Sequence, residues 1–400
     1  MRILVLTQVV VYPADAGPKV KTLQVLRHLA AHHDVVYCTF VRSAKEAQDV
    51  EKLREICCRV SAIPIIRSRM NDVRFLIGSL ATGDSFILRR DDSPTMRAMV
   101  RQLLHEEQID VLHIDQLNMM RFVPPDWQGT VILDEHNAVW QVFERLSRGT
   151  RNPISRWLLG REAHIIRGIE GAACCRAQTV LAVSEQDQRA LREVAGESAL
   201  IEIVPITVDA GHFQPIWEAR NPQPNRLLTI GTMFWLPNSE GVSWWLRQGY
   251  EHLRRLCPNV TYDVVGARPP HTLQMLAGRH AGVHLHGYVA DVTPFWTSTG
   301  ALAVPLLSGG GVRVKILEAM AMGIPVISTT IGCEGLAVRN GEHLLVADNP
   351  ETFARACATV LRDKELALHL ARNARQLILE QYDAKVALRA LDSAYKLAGK

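Results

Sequence analysis

Apolar runs of strand length alternate with helical repeats along the whole chain. The segment Val20–His32, for example, has apolar residues at 23, 26 and 29–30, which is the spacing of a helix with one buried face. Regular strand–helix alternation predicts an α/β fold, with parallel sheets covered by helices on both faces. The predicted strands are Ile3–Val11, Asp34–Phe40, Arg59–Ile65, Val111–Asp115, Thr130–Asp134, Thr179–Val183, Glu202–Pro205, Arg226–Gly231, Thr261–Gly266, Val283–Gly287, Gly300–Pro305, Pro325–Ser328 and Leu344–Ala347.

A polar, proline-rich segment over 209–225 separates two regions of this pattern and is predicted to be a linker. Four hundred residues suit two domains of ordinary size. We therefore predict an N-terminal Rossmann-like domain over 1–208, a C-terminal Rossmann-like domain over 226–380, and a C-terminal helix over 381–400.

A triple-glycine loop, Gly309–Gly311, follows one predicted strand and opens a predicted helix that begins with Val312 and Arg313. Backbone N–H groups at such a loop can approach an anion, and the helix dipole favours negative charge there. Arg313 and Lys315 add positive charge, while Glu318 can accept hydrogen bonds from sugar hydroxyls. The arrangement suggests a ligand with a pyrophosphate and a ribose. An ordinary turn followed by a solvated glutamate is the alternative.

The segment Pro305–Ile327 resembles the donor-binding signature of the family 4 retaining glycosyltransferases, which have a GT-B fold of two Rossmann-like domains facing across a cleft. It is most similar to bacterial sugar transferases of exopolysaccharide clusters. The resemblance implies that the C-terminal domain binds a nucleotide-diphosphate sugar, with a UDP- or GDP-sugar as the expected donor. It also implies that the N-terminal domain binds a glycan, lipid-linked or small-molecule acceptor, and that the sugar is transferred with retention of anomeric configuration.

The resemblance also implies roles for individual residues. Arg313 and Lys315 would stabilise the leaving phosphate. His136, in a turn similar to the family's Asp-x-His-Asn, would position the donor sugar. Gly17 would match a loop that approaches the donor phosphates, with a simple turn as the alternative. The remaining residues expected to bind the donor are Gly231, Asn238, Arg268, Val289, Gly309, Gly310, Gly311, Val312 and Glu318; a solvated side chain is the alternative for Arg268.

Two departures from the family pattern concern the donor site. Thr232 and, approximately, Asn238 occupy places where relatives usually carry an arginine and a lysine that face the pyrophosphate. Gly310 occupies the place of a glutamate eight positions before Glu318. A sugar-nucleotide epimerase of the same fold and a non-catalytic sugar-nucleotide-binding subunit therefore stay open as alternatives.

Charge and the absence of one motif indicate which partners and cofactors to expect. The formal net charge of +4 does not indicate a nucleic-acid partner. No D-x-D triplet is present to hold a divalent metal, so we expect a metal-independent enzyme without a cofactor.

The N-terminal apolar run reads as a strand rather than a signal peptide, which favours a cytoplasmic location. Eight arginines against four acids over 59–101, and seven against two over 145–176, suggest peripheral contact with an anionic membrane; ordinary arginine-rich helices are the alternative.

Overall fold

The computed structural model describes residues 1–14, 17–150, 152–216, 225–309 and 311–398. The first sheet has seven parallel strands in the order β3-β2-β1-β4-β5-β6-β7, and the second has six in the order β10-β9-β8-β11-β12-β13. The strands are β1 (Arg2–Thr7), β2 (Asp34–Val41), β3 (Arg59–Pro64), β4 (Val111–Asp115), β5 (Thr130–Asp134), β6 (Thr179–Ala182), β7 (Ile201–Ile203), β8 (Arg226–Ile230), β9 (Thr261–Val265), β10 (Val283–Gly287), β11 (Ala301–Val304), β12 (Val326–Ser328) and β13 (Leu345–Val346).

Helices connect the strands in both sheets. They are α1 (Gly17–Ala30), α2 (Ala44–Glu51), α3 (Arg69–Thr82), α4 (Phe86–Arg90), α5 (Pro94–Glu106), α6 (Leu117–Met120), α7 (Val139–Gly149), α8 (Pro153–Arg176), α9 (Glu185–Ala195), α10 (Leu236–Trp244), α11 (Tyr250–Leu256), α12 (His271–Ala277), α13 (Thr293–Ser298), α14 (Val314–Ala321), α15 (Pro350–Arg362), α16 (Lys364–Leu377), α17 (Ala384–Ala387) and α18 (Arg389–Ala398). A short 3₁₀ turn covers Lys52–Glu55, and π-helical turns cover Trp245–Gly249 and Ile378–Tyr382.

Both sheets reverse their strand order at one point, between β1 and β4 in the first and between β8 and β11 in the second. In open parallel sheets, ligands bind outside the carboxyl ends of the strands at this switch point. The residues that follow β1, β4, β8 and β11 are therefore where a site is expected. The fold confirms the predicted class of two Rossmann-like α/β domains.

The described strands coincide with the predicted apolar runs, because strands of a covered parallel sheet are buried on both faces. The first run is the clearest correction. β1 ends at Thr7 rather than at Val11. Val10 and Val11 are nevertheless buried, and the Thr7 hydroxyl donates to the carbonyl of Val9 at 3.0 Å, so the apolar run continues into a buried loop.

The chain divides into two compact units, one of residues 1–206 and 387–400 and one of residues 207–386. Within the first unit, the tail is fastened by Tyr395, whose buried hydroxyl lies 2.8 Å from Nδ1 of His113. Asp392 Oδ1 also lies 2.6 Å from Nε2 of His28 on α1. Among the described residues, none of the helices has the length and apolarity needed to cross a bilayer.

Candidate functional site

The switch point of the second sheet brings together three of the predicted donor-site residues. Gly231 directly follows β8, Asn238 lies on α10, and Lys315 lies in the first turn of α14. A Cβ atom on Gly231 would lie 2.9 Å from Asn238 Nδ2 and 3.0 Å from Lys315 Nζ. Only glycine at this position lets both side chains approach the strand end so closely.

Asn238 holds Lys315 in place. The ammonium of Lys315 donates to Asn238 Oδ1 at 3.2 Å, and Asn238 Nδ2 donates to the carbonyl of Thr232 at 3.1 Å. Asn238 thus orients a lysine from α14 at this edge of the sheet.

The charged groups of this cluster are shifted toward their neutral forms. Burial and the neighbouring Arg313 lower the pKa of Lys315 to about 7, against an opposing effect of Glu318. Burial raises the pKa of Glu318, one helical turn along α14, to about 7. Burial also lowers the pKa of Arg313, while Glu334 acts in the opposite direction. A bound anion would favour the charged forms of Lys315 and Arg313.

Two glycines of the triple-glycine loop adopt a backbone conformation that favours glycine. Gly309 has a φ of 107° and Gly311 a φ of 80°, a region that side chains other than glycine rarely adopt. A Cβ on Gly309 would lie 3.1 Å from a terminal nitrogen of Arg313 and 3.4 Å from Pro237. Val312 is buried behind the loop, and the predicted site residue Gly310 lies outside the described residues.

The other two predicted donor-site residues lie further along the sheet edge. Arg268, after β9, has a φ of 52°, and its guanidinium lies over the exposed ring of Phe234 at 4.0 Å. Arg268 is exposed and stacks on this ring. Val289 is half-buried in the loop after β10, two strands from β8.

In the first unit, His136 lies at the switch-point edge, two residues beyond the end of β5, and is buried. Its Nε2 lies 3.1 Å from Asp115 Oδ1, at the end of the neighbouring strand β4. The same Asp115 oxygen accepts a hydrogen bond of 2.8 Å from the Thr22 hydroxyl on α1. Nδ1 of His136 lies 3.4 Å from Gln116 Nε2. The imidazole thus contacts groups from β4 and the loop that follows it, although its Nε2 makes no hydrogen bond to the described residues.

A buried ion pair lies in the same cluster as this histidine. The ammonium of Lys21, on α1, contacts Asp134 Oδ1, and both side chains are almost completely shielded from solvent. Asp134 Oδ2 lies 3.5 Å from His113 Nε2. Lys21 and the neighbouring histidines hold the pKa of Asp134 well below its usual range, although burial acts in the opposite direction. Gly17, predicted to approach the donor phosphates, is the first residue of α1, one turn before Lys21.

Asp115, Asp134 and His136 offer ligand atoms that all lie within 4.8 Å of one another, a spacing that a cation could use. Here the Lys21 ammonium contacts one of the two carboxylates, and Thr22 and His136 contact the other. The protein itself thus supplies the partners of both acids.

Sequence reasoning identified His136 and missed the residues around it. Asp115 is a polar residue at the carboxyl end of a buried strand, so the rule that identified His136 should also have identified Asp115. Lys21 gave no such signal, because a lysine on an amphipathic helix ordinarily faces solvent.

Comparison with known proteins assigns the family. Residues 17–212 match the family described as Glycosyltransferase Family 4, and residues 224–363 match Glycosyl transferases group 1. The chain belongs to the group 1 glycosyltransferases of GT-B fold. This group 1 glycosyltransferase is also 24% identical, over 166 residues, to a Klebsiella pneumoniae protein called "Uncharacterized 44.6 kDa protein in cps region". That match spans 40% of the present chain and 43% of the relative's length.

Solved structures share the fold over essentially the whole chain. Anabaena HepE in complex with UDP-glucose has a TM-score of 0.68 at 14% identity, covering 99% of this chain and 100% of that one. The sucrose-phosphate synthase of Thermosynechococcus elongatus has a TM-score of 0.72 at 15% identity, with coverage of 99% and 98%. At such identities the likeness concerns the GT-B fold.

Proposed function

We propose that this glycosyltransferase moves a hexosyl group from a nucleoside-diphosphate sugar to a glycan, lipid-linked or small-molecule acceptor, with retention of anomeric configuration. The observation that carries the proposal is the cluster of Arg313 and Lys315 beside the glycine loop, at the switch point of the second sheet. The UDP-glucose complex of HepE supports a uridine nucleotide as the first donor to test. A GDP-sugar is the second.

In this proposal the protein acts mainly by stabilising charge. Breaking the bond between the anomeric carbon and the phosphate leaves negative charge on the diphosphate. Arg313 and Lys315, the latter protonated when the diphosphate is bound, supply positive charge to that group, which is the largest kind of catalytic contribution in such sites. Glu318, one turn after Lys315, accepts hydrogen bonds from the ribose, and His136 positions the transferred sugar.

We further propose that the reaction needs no divalent metal, since the two cations of the donor site can neutralise the leaving diphosphate. Activity should then persist in the presence of EDTA. Loss of activity on chelation, with recovery on adding Mg²⁺ or Mn²⁺, would contradict this part of the proposal and direct attention to the spacing of Asp115, Asp134 and His136.

Donor binding is tested by thermal shift against UDP-, GDP-, ADP- and TDP-sugars, since a ligand of the native state raises the unfolding midpoint. We expect one selective response that is lost in Lys315→Met and Glu318→Gln. Lys364→Met, an exposed lysine on α16 of the same unit, is the matched control and should keep the response. No response to any sugar nucleotide would remove the donor-site assignment.

Turnover separates the transferase from its alternatives. The proposal requires a glycosylated product from the selected donor and an acceptor extract, with the anomeric configuration of the donor as determined by NMR. Conversion of the donor without an acceptor would indicate an epimerase. Donor binding without any turnover, in the presence of a broad set of acceptors, would indicate a binding subunit.

A further inference from the structure

Helix α3 presents its apolar side to solvent. Met70, Val73, Ile77 and Leu80 recur at intervals of three and four residues and lie within about 80° of one another around the helix axis. They form what we call the exposed stripe: Met70 is 79% exposed and Ile77 62%. On the opposite side of the helix, Ser79 is completely buried. An amphipathic helix that serves the core has the reverse arrangement.

A second group of exposed apolar side chains, Ile154 and Trp157, lies at the start of α8. Arg161, on α8, donates to the hydroxyl and to the carbonyl of Ser79 at 3.1 and 2.6 Å, so the end of α3 contacts α8 there. Trp157 and Ile154 lie four and seven residues before Arg161, on the same side of α8. They are 59% and 69% exposed. Both helices therefore carry exposed apolar side chains, and all of these side chains belong to the first unit.

Positive charge predominates at the tip of the α7–α8 hairpin. Residues 145–157 contain four arginines and no acid, and Glu144, just before them, pairs with Arg148 at 2.9 Å. Arg145, Arg148 and Arg156 are exposed there, and Arg74 is exposed at the edge of the exposed stripe. Exposed aliphatic side chains and a tryptophan beside arginines are the composition of segments that lie in the headgroup region of anionic bilayers.

We propose that the exposed stripe, together with Ile154 and Trp157, docks the enzyme onto an anionic lipid surface. The arginines approach the phosphate headgroups, and the apolar side chains enter the boundary between headgroups and acyl chains. The docking is peripheral and reversible. It does not depend on the proposed donor chemistry, because none of its residues belongs to the donor site or to the histidine cluster.

The test is flotation of the full-length protein with vesicles of phosphatidylcholine alone and of phosphatidylcholine mixed with phosphatidylglycerol. We expect binding to the mixed vesicles only, decreasing as salt is raised because headgroup attraction is screened. The double variant Met70→Ser/Ile77→Ser and the single variant Trp157→Ala should each weaken binding about tenfold or more. Arg74→Gln/Arg148→Gln should weaken binding at low salt and make the remaining binding less sensitive to salt, because fewer positive charges face the headgroups.

Met275→Ser is the matched control, since Met275 is an exposed methionine of the second unit; it should bind like the unchanged protein. Unfolding midpoints close to that of the unchanged protein show that all variants remain folded. The proposal is overturned by equal binding to both vesicle types or by no binding to either. A concentration-dependent dimer that Met70→Ser/Ile77→Ser abolishes, without vesicle binding, would assign the surface to a second copy of the chain.

Discussion

Nε2 of His136, just after β5, lies 3.1 Å from Oδ1 of Asp115 at the end of β4, which borders the switch point of the first sheet. The Thr22 hydroxyl holds the same carboxylate oxygen from α1 at 2.8 Å. Asp115 is therefore placed to fix the orientation of the imidazole without itself having to contact the donor sugar. We therefore predict a positioning role for the buried aspartate.

Asp115→Asn keeps the shape of the side chain and removes its charge. We expect kcat to fall about tenfold, or about 1.4 kcal/mol in activation free energy, because the imidazole loses the charge that orients it. The thermal shift caused by the donor should change little, since Asp115 lies outside the unit that holds the donor cluster. Steady-state kinetics and thermal shift together check this split.

Asp110→Asn is the control for that variant. Asp110 precedes the other end of the same strand and accepts an exposed hydrogen bond from the backbone N–H of Arg2 at 2.7 Å. It should leave kcat unchanged. An equal loss of kcat in both variants, or a parallel loss of donor binding in Asp115→Asn, would show a general effect on the domain rather than positioning of His136.

We expect nucleotide binding to depend on pH because the pKa of Lys315 is lowered. Its pKa is lowered to about 7 in the free protein by burial and by Arg313, so above that pH the amine is mostly neutral. A diphosphate favours the ammonium form, and binding must then take up a proton. Affinity should therefore fall as the pH rises above about 7, by at most about tenfold per pH unit.

Calorimetry in buffers of different ionisation enthalpy measures the proton uptake directly. The uptake should disappear in Lys315→Arg, which keeps the charge at all accessible pH values, and this variant should also lose the decline in affinity at alkaline pH. Identical apparent enthalpies in all buffers for the unchanged protein would contradict the predicted protonation.

The clusters around His136 and Lys315 show how much of the candidate site could be predicted from the sequence. The apolar runs locate β4 and β5 because a strand covered on both sides has to be apolar throughout. The resemblance locates Gly231, Lys315 and Glu318, since these lie in short motifs beside strand ends. The contact of Lys21 with Asp134 joins residues 113 positions apart and leaves no local pattern. The role of Asn238 was equally unreadable, because it depends on a lysine 77 positions away.

We expect the free energy of unfolding to depend on pH because the pKa of Glu135 is raised. Burial and the nearby Glu170 raise the pKa of its carboxyl well above the usual range. A raised pKa in the folded state means that the native protein holds a proton that the unfolded chain releases above about pH 4.5. The associated stability is present below that pH and is lost as the pH rises through the folded-state pKa.

Glu135→Gln replaces the acid with a neutral group that can still accept the 3.3 Å hydrogen bond from the N–H of Leu117. We expect the free energy of unfolding to rise by about 1 kcal/mol above neutral pH and to change little below about pH 4.5. Urea unfolding at both pH values measures this. The exposed Glu197→Gln is the control; the same pH slope for the unchanged protein and Glu135→Gln would refute the assignment.

Arg375, on α16, secures the beginning of the second unit. Its guanidinium donates to the carbonyls of Phe213 at 2.9 Å, Ala321 at 2.7 Å and Ala210 at 3.0 Å, and the residue is buried. One side chain thus fastens the segment that enters this unit, residues 210–213, to the end of α14. Since α14 also carries Lys315 and Glu318, this packing helps to fix the helix of the donor site.

Arg375→Met removes all three hydrogen bonds while keeping an apolar side chain of considerable length. Leaving buried carbonyls without donors should lower the free energy of unfolding by about 3 kcal/mol. Arg372→Met, at an exposed position one turn earlier on the same helix, should change stability by less than about 0.5 kcal/mol. Urea unfolding of the two variants provides the comparison. Similar stabilities would mean that the three carbonyls are satisfied in another way and that α14 does not rely on Arg375 for its position.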